Sequence, residues 1–87
     1  MTPKAAPDVV PDREVDARGL KCPLPVLRAG KALRAMRPGE VLRVLADDPM
    51  AAVDLPHFCA EAGHEHLGLT EEEGAQTHLI RRGPGGR

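Results

Sequence analysis

Cys22 is the residue in this chain placed for chemistry. It lies in Arg18-Gly19-Leu20-Lys21-Cys22-Pro23-Leu24-Pro25, with a glycine three residues before it and two prolines just after. A strand-like run precedes this stretch and a helix-like run follows, so Cys22 is expected near the N-cap of a helix. A helix N-terminus carries about half a positive charge and unpaired N–H donors. It favours a thiolate over a thiol, so the expected pKa of Cys22 is depressed and its nucleophile populated near neutral pH. Lys21 and Arg18 add positive charge. Pro23 and Pro25 lack N–H groups and stiffen the turn, which leaves the N–H groups of Cys22 and Leu24 near the sulfur. The competing reading is a small buried hydrophobe. The two prolines at a helix start favour the nucleophile.

The elements that must position this cysteine follow from periodicity. Val15 and Ala17 alternate with Asp16 and Arg18, as in a half-buried strand over Glu14 to Arg18. Val26, Ala29, Leu33 and Met36 share one face of a helix from Pro23 to Met36, which Arg37-Pro38-Gly39 stops. Glu40 to Ala46 is a near-continuous apolar run and reads as a covered strand parallel to the first. Asp47-Asp48-Pro49 reads as a helix start, with an Asp N-cap, Asp48, followed by Pro49 at N1. That helix runs to Ala62, with Gly63 after it. Pro56 is expected to kink it or to mark a restart capped by Asp54. His64 to Thr70 and Gln76 to Arg81 read as strands joined by a loop, Glu71-Glu72-Glu73-Gly74.

The order βαβαββ with right-handed crossovers gives an α/β (α+β) two-layer sandwich, a four-stranded mixed sheet with both helices on one face. Residues 1–11 read as a disordered lead-in, 12–82 as the domain, and 83–87 as a flexible tail.

Composition narrows the function. The chain has 87 residues, enough for one modest core, and a single aromatic residue, Phe58. Lys plus Arg is 12 against 13 for Asp plus Glu, which argues against a dedicated nucleic-acid binder. No apolar run approaches the roughly 18 residues of a membrane span, and no secretory leader is evident. A cytoplasmic protein with reduced thiols is expected.

The same motif bears a resemblance. Asp16-Ala17-Arg18-Gly19-Leu20-Lys21-Cys22-Pro23-Leu24-Pro25 resembles the signature of the TusA family of sulfur carriers, Asp-x-Arg-Gly-Leu followed by Cys-Pro-x-Pro. Arg37-Pro38-Gly39-Glu40, Ala46-Asp47-Asp48-Pro49 and Phe58-Cys59 extend it over residues 13 to 82. The resemblance implies strand order 1-2-4-3 with the last strand antiparallel to the others. It implies that Cys22 relays a persulfide sulfur from a cysteine desulfurase or rhodanese to an acceptor protein, by transpersulfidation and with no cofactor. In the family this serves 2-thiouridine formation in tRNA, and in other members sulfur oxidation or molybdenum-cofactor synthesis. The alternatives are an inert binding module and a thiol redox protein, for which Cys59 is the available resolving cysteine.

Around Cys22, Asp16 and Arg18 share one side of a strand and are expected to shape the loop, with Gly19 at a positive φ. Pro23 and Pro25 fix the helix start. Arg28, Lys31 and Arg34, with Lys21 near the helix start, form a basic stripe expected to dock acidic partners. Direct tRNA contact is not expected, since no aromatic residues are interleaved. His57, Cys59, His64 and His66 do not match zinc spacing, so no metal is expected. Gly85-Gly86 would need a free C-terminal carboxylate to act as in ubiquitin-like sulfur carriers, and Arg87 follows it.

Overall fold

A computed structural model describes residues 10–84. The elements run β1 (Arg13–Asp16), α1 (Leu24–Arg34), β2 (Val41–Ala46), α2 (Ala51–Ala62), β3 (Glu65–Glu72) and β4 (Ala75–Arg81). They form one four-stranded sheet in the order β1-β2-β4-β3. β1 pairs parallel to β2, and β4 runs antiparallel to both β2 and β3. This is the expected two-layer α+β sandwich with its expected topology.

The strand alternation sets the core. Leu42, Val44 and Ala46 on β2 point inward beside Ile80 on β4. Over them lie Ala29, Ala32 and Leu33 of α1 and Ala51, Leu55 and Cys59 of α2. With one phenylalanine available, this core is built from aliphatic side chains of modest volume. The apolar stripe on α1 is therefore close to the one its periodicity predicts.

Several boundaries differ from expectation. β1 ends at Asp16, although the Ala17 N–H still donates to the Leu45 carbonyl at 2.8 Å. α1 begins at Leu24 and ends at Arg34, with Ala35 and Met36 closing it through tighter i→i−3 bonds. α2 runs unbroken through Pro56, and Asp54 caps no restart. The hairpin between β3 and β4 is shorter than expected. Glu73 and Gly74 alone turn the chain, with φ of 53° and 83°. Two positive φ values in a two-residue loop match the right-handed twist of the strands they join.

Residues 1–9 and 85–87 lie outside the described residues, and with them most of the expected lead-in and the Gly85-Gly86 pair. Asp12, the first residue of the expected domain, is held to β2: its N–H donates to the Val41 carbonyl at 2.7 Å, and its carboxylate accepts from the Val41 N–H at 2.9 Å. Gly83, expected to open the tail, is buried. Its N–H donates to His64 Nδ1 at 2.9 Å. A Cβ at this position would fall 1.7 Å from the Gly63 carbonyl oxygen, so only glycine fits. Next to it, buried Arg82 donates from Nε to the Leu33 carbonyl at 2.8 Å and so ties the end of β4 to the last turn of α1.

Gly83→Ala should therefore destabilise the fold by about 1–3 kcal/mol, because backbone must move to admit the methyl group. Chemical denaturation measures this. An unchanged midpoint would mean that residue 83 behaves as a free tail.

Candidate functional site

The loop between β1 and α1 carries Cys22, which is exposed and free. Ala17 to Leu20 form a turn closed by the Leu20 N–H on the Ala17 carbonyl at 3.2 Å. Gly19 is the third residue of that turn, with φ of 83°. This left-handed conformation is strained for residues with a side chain. Asp16 accepts from Arg18 three times: from Nε and Nη2 at 2.9 Å each and from the backbone N–H at 3.1 Å. This fork holds the Asp16 carboxyl down at about 2. The Arg18 side chain is thereby directed onto Asp16.

The second support comes from across the sheet. The turn after β2 presents Asp47 and Asp48. Asp47 accepts from the Gly19 N–H, with its two carboxylate oxygens at 3.0 and 3.1 Å. Asp48 Oδ2 accepts from the Cys22 N–H at 2.7 Å, and Oδ1 from the Met50 N–H at 3.1 Å. The sequence predicts Asp48 as the cap of α2, with Pro49 at N1. In the structure Met50 occupies the N-cap of α2, and both aspartates are spent on the backbone of the cysteine loop or of their own turn. The signal was present in the Asp-Asp-Pro motif, but a cap and a long-range brace look alike in sequence.

A buried polar chain backs this turn. Gln76 Nε2 donates to the Asp48 carbonyl at 2.9 Å. Gln76 Oε1 is thus left to accept from His78 Nε2 at 2.8 Å. That fixes His78 Nδ1 as the acceptor for His66 Nε2 at 2.9 Å. His66 and His78 are therefore occupied with each other. Among the described residues, no group of three or more His, Cys, Asp or Glu side chains is arranged to hold a metal ion.

The environment of the sulfur reverses the electrostatic expectation. Pro23, not Cys22, is the N-cap of α1, and the Cys22–Pro23 peptide is cis. The Cys22 N–H is taken by Asp48, and the Leu24 N–H donates to the Lys21 carbonyl at 2.8 Å. Neither N–H is free for the sulfur. Instead the Cys22 thiol donates to Asp54 Oδ2, with the sulfur 3.0 Å away. That bond, with some local desolvation and the negative charges of Asp54 and Asp48, raises the thiol pKa above its ordinary value. Asp54 lies on α2, 32 positions along the chain, and no local pattern links it to the cysteine.

The basic residues are exposed, and they do not all line the same groove. Arg28 and Lys31 line a groove of about 800 Å³ between α1 and β1, with Arg13, Glu14 and Asp16. Arg34 folds back over Gly30, on the side facing Phe58. Apolar residues are exposed at the start of both helices: Leu24 and Leu27 on α1, and Met50 and Val53 at α2, between 45% and 61% exposed. Leu24 and Leu27 lie off the core stripe of α1, which is the signal by which sequence finds them. Between the helices a smaller cavity of about 360 Å³ is lined by Pro23, Val26, Asp54, His57, Phe58 and Glu61. Cys59 is buried in the core, and burial pushes its thiol up to about 12. Such a group is a poor resolving nucleophile.

Known proteins resemble this chain in sequence and fold. The family model described as Sulfurtransferase TusA matches residues 13–82. The chain belongs to the TusA family. It is 44% identical over 75 residues to the sulfur carrier protein TusA of Pseudomonas entomophila, covering 86% of this chain and 94% of the relative. It is 48% identical over 69 residues to the protein of the same name from Allochromatium vinosum, covering 79% and 90%. In fold, this TusA-family chain matches the crystal structure of a SirA-like protein from Desulfitobacterium hafniense. The TM-score is 0.73 and the identity 32%, over 82% of this chain and 97% of the other.

Two pH measurements test this geometry. Alkylation of Cys22 by a neutral reagent should show a midpoint above the free-thiol value of about 8.5, since carboxylates face the sulfur. A midpoint below it would restore the helix-terminus account. Separately, burial pushes His78 down to about 4 from an ordinary 6.5. The folded chain then binds fewer protons than the unfolded chain between those values. Stability should fall as pH drops through that window, with a slope of up to about 1.4 kcal/mol per pH unit. Denaturant unfolding at pH 7 and pH 5 checks it, and His78→Gln should flatten the dependence.

Proposed function

We propose that this protein is a sulfur carrier that relays a sulfane sulfur as a persulfide on Cys22. The observation that carries the reading is an exposed free cysteine on a loop held by backbone hydrogen bonds, in a chain of the TusA family. The Cys22 sulfur attacks the outer sulfur of a donor persulfide, and the donor cysteine leaves as a thiol. A cysteine of the acceptor then attacks the new outer sulfur and takes it away. Each step exchanges one S–S bond for another and needs no cofactor. The protein is a substrate-like carrier that turns over with its partners.

A carrier needs a donor and an acceptor. The donor is a cysteine desulfurase or rhodanese, and the acceptor is a protein cysteine that leads to tRNA 2-thiouridine. The rest of the candidate site fits these roles. Asp16, Arg18, Gly19, Pro23 and Pro25 shape the loop. Leu24, Leu27, Met50 and Val53 offer apolar surface for the partner around the cysteine. Lys21, Arg28, Lys31 and Arg34 steer acidic partners toward it, with Arg28 and Lys31 acting together. The two reduced cysteines suit the cytoplasm. No helix among the described residues is long and apolar enough to cross a membrane.

Mass spectrometry after incubation with a cysteine desulfurase and cysteine tests the reading. Cys22 should gain one sulfur atom. Cys22→Ser should load nothing while folding normally, and Cys59→Ser should still load. Loading that survives Cys22→Ser would refute the assignment. Reversing Arg28 and Lys31 to Glu should slow transfer through association, with little change in Cys22 alkylation. High salt should bring the wild type toward the reversed variant, since the Debye length falls to about 3 Å at 1 M.

A further inference from the structure

The sulfur of Cys22 faces acids, whereas its chemistry needs a proton removed. Asp54 Oδ2 stands 3.0 Å from Sγ. Asp48 binds the same residue's N–H from the β2–α2 turn at 2.7 Å. The Asp48 carboxyl is lowered chiefly by the backbone N–H groups of Cys22 and Met50, with a smaller contribution from the charge of Lys21. Along α2, His57 and Glu61 follow Asp54 in the wall of the interhelical cavity, and they engage each other at 3.6 Å. Among the described residues, no salt bridge engages Asp54. A thiol in this position rests protonated, with its proton already directed at a carboxylate oxygen.

We propose that Asp54 is a catalytic residue of sulfur transfer, the base that takes the Cys22 proton during attack and the acid that returns it to the departing thiolate. The proposal rests on the carrier reading of Cys22. In the loading step the Cys22 S–H proton passes to Asp54 as Sγ bonds to the outer sulfur of the donor persulfide. The donor S–S bond breaks, and the donor cysteine leaves with the electron pair. Asp54 then gives its proton to that thiolate. The sum is Cys22–SH plus R–S–SH giving Cys22–S–SH plus R–SH, with no net oxidation. Unloading is the same sequence in reverse, with the acceptor thiol supplying the proton and Cys22 receiving it.

The geometry also explains why a carrier tolerates a suppressed thiolate. A free thiolate attacks a donor readily, but it is also oxidised and alkylated indiscriminately. A thiol hydrogen-bonded to a fixed base is quiet alone and becomes a nucleophile when an S–S bond is presented to it. Asp54 lines the cavity that opens beside Pro23, Val26 and Phe58, so it can also face the departing sulfur.

Two rates on each variant test the assignment: alkylation of Cys22 by iodoacetamide, and sulfur uptake from glutathione persulfide, both followed from pH 6 to 9. A small donor removes docking from the comparison. Removing the charge in Asp54→Asn frees the thiolate, so alkylation at neutral pH should rise. Sulfur uptake should fall by at least about tenfold, because the proton loses its shuttle. Asp54→Glu, which keeps a base, should restore much of the uptake. Opposite changes in the two rates are not expected from a merely structural residue. Changes in the same direction, or unchanged uptake in Asp54→Asn, would overturn the proposal while leaving Cys22 as the carrier. A wild type that takes no sulfur on Cys22 would overturn the carrier reading and this proposal with it. Asp54→Ala gives the same pair of readings if circular dichroism shows that Asp54→Asn is unfolded.

Discussion

Two aspartates in one turn hold the cysteine loop by its backbone. Asp47 and Asp48 project from the end of β2 and accept the N–H groups of Gly19 and Cys22. The loop belongs to the β1–α1 connection, so these bonds join two βα turns at the same edge of a parallel strand pair. Parallel pairing of β1 with β2 makes this possible, because it brings the two C-terminal strand ends side by side. An antiparallel pairing would put them at opposite ends. Hydrogen bonds to a carboxylate are stronger than neutral ones, and here they fix main chain rather than flexible side chains. The cysteine therefore keeps its place although its side chain is exposed.

The brace is anchored from beneath. Asp48's own carbonyl is bound by Gln76, and Gln76 is held by His78 and His78 by His66. Each partner's orientation is set by the next, so the chain of donors runs one way, from His66 to the aspartate turn. A buried glutamine and a buried histidine would be costly if unpaired. Paired, they fix the position of the turn that holds the loop. The single aromatic residue leaves the core dependent on small aliphatic side chains. These buried polar contacts, with Arg82 on the last turn of α1, add directional constraints that aliphatic contacts lack.

The same placement sets the electrostatics. A helix N-terminus is an anion site only where its N–H groups are free. Here Pro23 and Pro25 have none, Leu24 donates to Lys21, and Cys22 donates to Asp48. With those donors spent, the side chains nearest the sulfur decide its charge state, and they are carboxylates. The stiffening prolines that mark the motif thus weaken the effect that a helix start would otherwise have on a cysteine. Reactivity here depends on a partner group and a base rather than on a standing thiolate.

Periodicity alone determined much of this protein. Alternation in β1, the apolar run of β2, the stripe on α1, and the glycine-containing loop Glu71-Glu72-Glu73-Gly74 between two strand-like runs were enough for the element order and the two-layer fold. The motif from Asp16 to Pro25 marked the loop, its glycine and its cysteine, because those features are local: a positive φ, two missing donors, one thiol. Tertiary structure alone decided what surrounds the sulfur. Asp48 and Asp54 are 26 and 32 positions from Cys22, and no sequence pattern says that α2 turns its first acidic residue toward it. Asp48 and Asp54 read locally as helix caps, and each found a long-range partner in Cys22 instead. Sequence spacing reports which side chains share a face. Which face meets which loop is set when the helices settle on the sheet, and that contact decides the protonation of the cysteine.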